Sequence, residues 1–179
     1  MTVKQFLQSK IFRCIIVLLC IALVSGGLLA ILNDLLAVDD AELLQRGLKS
    51  VGIAESNPQE LEIKQADYDN GTIIQVIYLP TSGDYLIKAL GKGGFQQGTV
   101  TVYALAHVEN SEVSVKKVAV ADYASSQTLM SKITDAGLQK VAEDPSIAPN
   151  QIAAGATYSS TAIKNAVNTA VAYINDYLV

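Results

Sequence analysis

The chain has 179 residues, a formal net charge of −4 at pH 7 and an isoelectric point near 4.9. Half of its residues are hydrophobic and only 17% are charged, against about 25% in ordinary soluble domains. The acidic balance argues against a nucleic-acid-binding surface, and two cysteines with one histidine exclude both a disulfide scaffold and a metal site of several Cys or His ligands.

The apolar character is concentrated near the start of the chain. Residues 14–32 (CIIVLLCIALVSGGLLAIL) contain no ionisable side chain apart from two thiols. As a helix these 19 residues rise about 28 Å, close to the hydrocarbon thickness of a bilayer. The basic residues of this region, Lys4, Lys10 and Arg13, all precede the segment, and the first acidic residue, Asp34, follows it. The asymmetry predicts a single-pass helix in the inner or plasma membrane, with a cytoplasmic N-terminus and an extracytoplasmic remainder.

A cleaved signal peptide is the alternative interpretation of this segment. The uncleaved anchor is favoured because the apolar stretch exceeds the about 7–15 residues of a signal-peptide core and no A-x-A site follows it. We therefore assign residues 1–36 to the cytoplasmic N-terminus and the transmembrane helix. Residues 33–179 keep 10 of the 13 Lys and Arg and all 17 Asp and Glu, which leaves an acidic domain with a net charge of −7.

After the apolar segment the pattern changes from helical to alternating. Residues 37–51 have apolar side chains at helical spacing and acidic residues at their start, which predicts an amphipathic helix within a linker over 37–60. Strands are predicted next, separated by turn sequences such as Asp69-Asn70-Gly71, at residues 61–66, 72–79, 84–90, 99–108 and 112–120. Together they predict a five-stranded, mainly antiparallel meander.

Helical patterns return in the last third of the chain. Residues 126–136 and 138–142 are predicted helices, followed by a loop at 144–150 with a proline near each end. Residues 160–178 place apolar or small side chains at the i, i+3, i+4, i+7 spacing of a long amphipathic helix. Strands followed by helices predict an α+β domain over residues 61–179.

Small residues lead into this last helix. The sequence AGATYSS at 154–160 sets a Gly-Ala-Thr turn before two serines suited to cap the helix. Small side chains let an anion approach the backbone, and a helix N-terminus offers unpaired N–H groups, so the turn is a candidate phosphate site. Thr157 would add a hydroxyl and Lys164 a positive charge. A capped helix with a flexible loop is the competing explanation, and the residues alone leave both open.

The same stretch resembles a motif of a known family. It is similar to the Ser-Gly-Ala-Thr-x-Thr/Ser-Ser motif of the FMN-binding domain in the G subunit of Rnf complexes, and to a related motif in the C subunit of the Na⁺-translocating NADH:quinone oxidoreductase. The resemblance implies that Thr157 is joined to FMN by a phosphoester bond, made by a separate flavin transferase. It extends to the N-terminal membrane helix and to a Gly-rich turn before a long strand. A Glu-Thr-Pro-Gly-Leu-Gly segment borders the flavin in that family, and its nearest counterpart, residues 125–130, shares Leu129.

Several residues are expected to contact the cofactor with Thr157. Tyr158 offers an aromatic ring, and the turn at 92–94 would let a ligand approach the backbone, although a simple connection between strands also explains that turn. The expected cofactor contacts are Gly155, Ala156, Tyr158, Ser159, Ser160, Lys164, Lys92, Gly93, Gly94 and Leu129. We assign no catalytic residue and no metal ligand, and His107 is expected to be a packed or surface histidine.

The resemblance thus implies a membrane-anchored flavoprotein subunit of an Rnf-type, ion-translocating ferredoxin:NAD oxidoreductase complex. Such a subunit carries covalent FMN and relays electrons without a complete active site of its own. Its partners would be the other membrane subunits and a flavin transferase, and not nucleic acid. Two alternatives stay open: a free-standing, surface-anchored FMN carrier for extracellular electron transfer, and an anchored interaction module without redox chemistry.

Overall fold

The computed structural model describes residues 10–36 and 40–179, with side chains described at 14–29, 31–32 and 42–179. Lys4 and the first three residues of the predicted linker helix lie outside the described residues. Residues Leu44–Val179 form one compact unit, and the described residues before them belong to a separate one.

The N-terminal unit contains a 27-residue helix, α1 (Lys10–Leu36). Every described side chain from 14 to 29 is exposed, and the thiols of Cys14 and Cys20 are free. Among the residues that the structure describes, no helix is both long enough and apolar enough to cross a bilayer. The transmembrane span that the sequence predicts is therefore not confirmed.

The compact unit is built on one antiparallel sheet. In the described part of the chain the strands are β1 (Gln59–Leu61), β2 (Asp67–Tyr68), β3 (Gly71–Leu79), β4 (Asp84–Gly91), β5 (Val100–Glu109) and β6 (Glu112–Tyr123). The order is β1-β3-β4-β5-β6, and β2 also pairs with β3. A mainly antiparallel sheet with packed helices confirms the predicted α+β fold.

The turns between the long strands are those that the sequence predicts. Asn110 and Ser111 connect β5 to β6 with φ angles of 51° and 65°. Two successive positive φ values match the right-handed twist of the strands, so this tight turn keeps β5 and β6 in register. Gly83, with φ of 69°, ends the connection between β3 and β4.

The predicted strand at residues 61–66 is wrong. Two short strands replace it, because β1 pairs with the end of β3 through Leu61 opposite Val76, whereas β2 pairs with its start through Asp67 opposite Thr72. The chain between them leaves the sheet, and the Lys64 amide donates to the Tyr173 hydroxyl at 3.3 Å. The alternating pattern of this segment reflects packing against a helix as well as against strands.

The helices of the compact unit are α2 (Asp40–Ser50), whose first residues precede the unit, α3 (Asp135–Glu143), α4 (Pro149–Ile152) and α5 (Thr157–Tyr177), with 3₁₀ turns at Phe95–Gln97 and Met130–Lys132. The predicted helix at 126–136 is wrong, because Thr134 accepts a bond from the Gly137 amide at 3.2 Å and starts α3 only there. The predicted loop at 144–150 is partly helical, since it contains the start of α4.

The two faces of the sheet are covered by different helices. α3 and α5 pack on one face around a core that includes Val102, Ile163 and Val167. On the other face, Leu48 and Val51 pack against the sheet with side chains such as Ile77, Leu86 and Leu105. This arrangement brings the start of α5 close to the connection between β4 and β5, where the candidate site lies.

Candidate functional site

The turn before α5 presents its backbone to solvent. Gly155 has a φ of 76°, and α5 begins at Thr157 with Ala156 as its N-cap residue. No side chain caps the helix, and the first intrahelical bond runs from the Ser160 amide to the Ala156 carbonyl at 2.9 Å. The predicted capping serines are therefore wrong, because Ser159 and Ser160 lie inside the first turns. Uncapped amides and an exposed Thr157 side chain meet at this end of the helix.

A cavity of about 370 Å³ opens beside Thr157. Three segments that are distant in sequence line it: the 3₁₀ turn through Phe95, the loop at 126–129, and residues 155–159 at the start of α5. The loop at 126–129 includes Leu129, so the structure brings the residues predicted from two separate motifs to one place. A cavity of this size is in the range that binds small organic ligands.

Exposed apolar side chains border the cavity. Phe95 is 45% exposed, Tyr158 61% and Leu129 42%. The rings of Phe95 and Tyr158 meet edge to face, with centroids 5.8 Å apart. Both residues also line a second cavity of about 720 Å³, so the aromatic pair borders both cavities. Large side chains grouped at a cavity and left open to solvent are typical of a ligand-binding surface.

A buried amide ties the three segments together. Gln127 is only 1% exposed, and its Oε1 accepts from the Ser159 hydroxyl at 2.9 Å and from the Phe95 amide at 3.4 Å. Its Nε2 donates to the Phe95 carbonyl at 3.1 Å. A β-carbon added to Gly94 or Gly98 would lie 2.6 Å or 2.4 Å from that nitrogen. The two glycines therefore let the Phe95 turn close onto the Gln127 side chain.

The positive charge near the turn comes from a residue other than the one predicted. The Lys164 ammonium donates to the carbonyls of Ser146 and Ile147 at 2.7 Å and 2.9 Å. Its hydrogen bonds are therefore made to the loop before α4. Lys132 lies closer to the motif, because its Nζ is 3.1 Å from the point that a β-carbon on Gly155 would occupy. Lys132 is exposed, and it places a cation beside the turn that precedes Thr157.

The other predicted contacts divide between the two cavities and the interior. Lys92, Gly93 and Gly94 line the second cavity together with Tyr158, and Thr157 does not line that cavity. The Lys92 ammonium donates to the Tyr68 carbonyl at 3.2 Å. Ser160 lines neither cavity. Its hydroxyl is buried and has no hydrogen-bond partner among the described residues.

Sequence reasoning missed Phe95, Gln127 and Lys132. The spacing of Gly94 and Gly98 around Phe95 was the one local signal, since two glycines four residues apart mark a place where another group approaches the backbone. Gln127 lies in the segment 125–130 to which the resemblance pointed, but no local pattern shows that its side chain bonds to Phe95 and Ser159, each 32 residues away. Lys132 was missed because it lies within the segment 126–136, which the sequence pattern predicts as a helix.

The single histidine lies outside this site. His107 Nδ1 is 2.7 Å from an oxygen of Asp84, which also accepts from the Lys116 ammonium at 2.6 Å. His107 is partly buried near the end of β5. In the described part of the chain no three His, Cys, Asp or Glu side chains are grouped as metal ligands would be.

Comparisons with protein-family models, with curated proteins and with solved structures find no match to this chain.

Proposed function

We propose that this protein is a membrane-anchored flavoprotein that carries FMN on Thr157 and relays electrons as a subunit of an Rnf-type ion-translocating complex. The observation that carries the proposal is the position of Thr157. Its side chain is exposed at the uncapped start of α5, at the edge of an apolar cavity. A flavin phosphate needs backbone donors and its ring needs apolar surface, and this place offers both.

The residues around Thr157 fit an FMN group by their chemistry. The phosphate would lie by the first-turn amides of α5, where the helix dipole favours negative charge. Lys132 beside Gly155 adds a cation at the same turn. Phe95, Leu129 and Tyr158 supply the apolar surface for the ring.

Attachment replaces one bond to phosphorus by another. Thr157 Oγ1 forms the new bond to phosphorus and loses its hydroxyl proton. A phosphoanhydride bond of the donor, a flavin dinucleotide, breaks, and the nucleoside monophosphate leaves. Since no base is found among the residues that line the cavity, a separate flavin transferase would supply the acid–base chemistry.

Bound FMN supplies one- and two-electron transfer, and the chain's own residues hold and orient it. Tyr158 and Phe95 are open to solvent, so a redox partner can approach the site closely. Attachment to the membrane rests on the charge-free segment 14–32 and on its flanking charges. The association with further membrane subunits rests on the sequence motif.

Mass spectrometry of the tryptic peptide 141–164 tests the attachment. We expect the wild-type chain, made together with an active flavin transferase, to carry a peptide heavier by one FMN less one water. Thr157→Val should abolish the adduct, whereas Thr161→Val, one turn later on α5, should keep it. An adduct that survives in Thr157→Val, or an unmodified wild-type peptide when a known substrate of the transferase is modified, would contradict the proposal.

Co-purification distinguishes the complex from the free-standing carrier. We expect the full chain, gently extracted from its native membrane, to elute with several polytopic membrane proteins. A flavinylated chain that elutes alone under the same conditions would favour the free-standing carrier instead.

A further inference from the structure

We infer that Phe95 and Tyr158 bind the planar ring of the ligand and that buried Gln127 acts as a positioning residue that holds Phe95 in place. The identity of the ring as a flavin rests on the function proposed above. The inference itself rests on the cavity, on the aromatic pair and on the hydrogen bonds of Gln127, none of which depends on covalent attachment.

The turn that carries Phe95 has an unusual backbone. Gln96 and Gln97 follow Phe95 with φ angles of 52° and 60°, a region that residues other than glycine rarely adopt. Such a conformation persists only where its surroundings hold it. Here it leaves an aromatic ring 45% exposed to solvent, which a turn that merely connects two strands does not require.

Gln127 supplies the restraint that this turn needs. Its amide accepts from the Phe95 amide and donates to the Phe95 carbonyl, so one side chain binds both backbone groups of the same residue. The same Oε1 accepts from Ser159, in the first turn of α5, one residue after Tyr158. Gln127 thereby fixes the distance between the two residues that carry the aromatic rings.

The geometry of the pair suits a planar aromatic ligand. Phe95 and Tyr158 meet edge to face at 5.8 Å, at the edge of an apolar cavity of about 370 Å³. A flat ring that enters the cavity would meet the aromatic surface of the pair, and Leu129 lines the same cavity. Contact of a heteroaromatic ring with such a surface is favourable whatever the polar groups on its edge, so recognition would depend on shape and stacking.

Riboflavin binding to the full chain with Thr157→Val tests the inference. Riboflavin has the ring but no phosphate, and the valine prevents attachment, so the quenching of its fluorescence reports ring binding alone. We expect saturable quenching by this protein. Adding Phe95→Ala or Tyr158→Ala should weaken binding by about 5- to 100-fold, the range that removal of a stacking side chain produces. Tyr177→Ala, at the opposite end of α5 and 42% exposed, is the matched control and should leave the affinity unchanged.

A double-mutant cycle tests the role of Gln127. Gln127→Met keeps the size of the side chain and removes its hydrogen bonds, and it should weaken riboflavin binding about as much as Phe95→Ala. If Gln127 acts through Phe95, adding Gln127→Met to Phe95→Ala should have little further effect. If Gln127 has a purely structural role, Gln127→Met should instead lower the thermal midpoint, and the losses of riboflavin affinity in the two single variants should add up in the double variant. If Gln127→Met does not fold, Ser159→Ala takes its place in the cycle. This variant removes only the hydrogen bond from the Ser159 hydroxyl to Gln127 Oε1.

Equal riboflavin affinity with and without Phe95→Ala, or no quenching by the Thr157→Val chain, would overturn the inference. These results are independent of the attachment test. An FMN adduct on peptide 141–164 together with an unaffected Phe95→Ala variant would refute the inference and leave the proposed function standing. Riboflavin binding that depends on Phe95, in a chain that never acquires the adduct, would refute the proposed function and leave the inference standing.

Discussion

Asp84 is a buried carboxylate whose negative charge is held by two neighbouring side chains. It is 3% exposed, and one of its oxygens accepts from both His107 and Lys116. Burial alone would raise the pKa of Asp84, but the hydrogen bonds from Lys116 and His107 outweigh it, and the pKa lies below its usual range. The ionised carboxylate is therefore part of the folded state.

This pKa gives stability a defined dependence on pH. Because the folded-state pKa lies below the unfolded one, Asp84 stabilises the fold above the unfolded value of about 4, and this contribution is lost as the pH falls through the folded pKa. We expect Asp84→Asn to lower the free energy of unfolding at pH 7 by about 1–3 kcal/mol, and to reduce its decrease between pH 5 and pH 2.5. Urea unfolding at pH 7 and at several pH values from 5 to 2.5, with exposed Asp69→Asn as the control, measures both effects. An acid profile of Asp84→Asn equal to that of the wild type would contradict the assignment.

Gly91 shows how a single missing side chain sets the position of a helix. A β-carbon at this residue would lie 1.9 Å from the Ala162 carbonyl oxygen and 2.5 Å from the Ala166 amide nitrogen. Both are backbone atoms of α5, so the helix itself would have to move. Gly91 therefore permits the close crossing that holds the start of α5 beside the Phe95 turn.

We expect Gly91→Ala to lower the free energy of unfolding by about 1–3 kcal/mol, as overpacking of a tight contact does. Gly27→Ala is the control, because a β-carbon there meets no atom within 4 Å. Thermal and urea unfolding of both variants measures the difference. Unchanged stability in Gly91→Ala would mean that α5 shifts away at no cost, and the riboflavin affinity of this variant should then fall.

At the scale of elements, the end of α2 completes the core. Leu48 is 1% exposed and packs with Val51 over the face of the sheet opposite α5. A β-carbon on Gly47 would lie 2.7 Å from the Tyr103 ring, so the helix lies very close to β5. Without these residues, apolar side chains such as Ile77 and Leu86 would be open to water.

Leu48→Ala should therefore cost about 2–5 kcal/mol of stability, the range for removal of a buried leucine side chain. Gln45→Ala, on the exposed side of the same helix, should change it by less than about 0.5 kcal/mol. Chemical denaturation measures both. Equal stability of the two variants would mean that α2 contributes little to the compact unit.

The elements also show where local patterns were sufficient and where they were not. β4, β5 and the turn at Asn110-Ser111 follow their sequence patterns because neighbouring residues alone decide them. The segment at 126–136 has a helical pattern, yet Gln127 bonds to Phe95 and Thr134 caps a later helix. A contact across 32 residues outweighed the local preference there, and the site depends on that contact.

At the scale of the whole molecule, the unit that contains α1 is separate from the compact unit, and the proposed anchor is tested at that scale. We expect the full chain to sediment with membranes after an alkaline wash, because the proposed anchor, segment 14–32, would bury its apolar surface in lipid. Residues 33–179 alone should stay in the soluble fraction. A full chain released by the wash would contradict the proposed anchor, and it would not bear on the proposed attachment of FMN to Thr157.

The sequence by itself determined the apolar N-terminal segment, the antiparallel strands, the long last helix and the Gly-Ala-Thr turn before it. Each follows from residues that are neighbours along the chain, so composition and spacing are sufficient to predict it. Only the tertiary structure decided which groups surround Thr157. Phe95, Gln127 and Lys132 come to the start of α5 from other parts of the chain, because Gly91, Gly94 and Gly98 allow backbones and side chains to approach closely. Such approaches depend on contacts between distant residues, which no local pattern records.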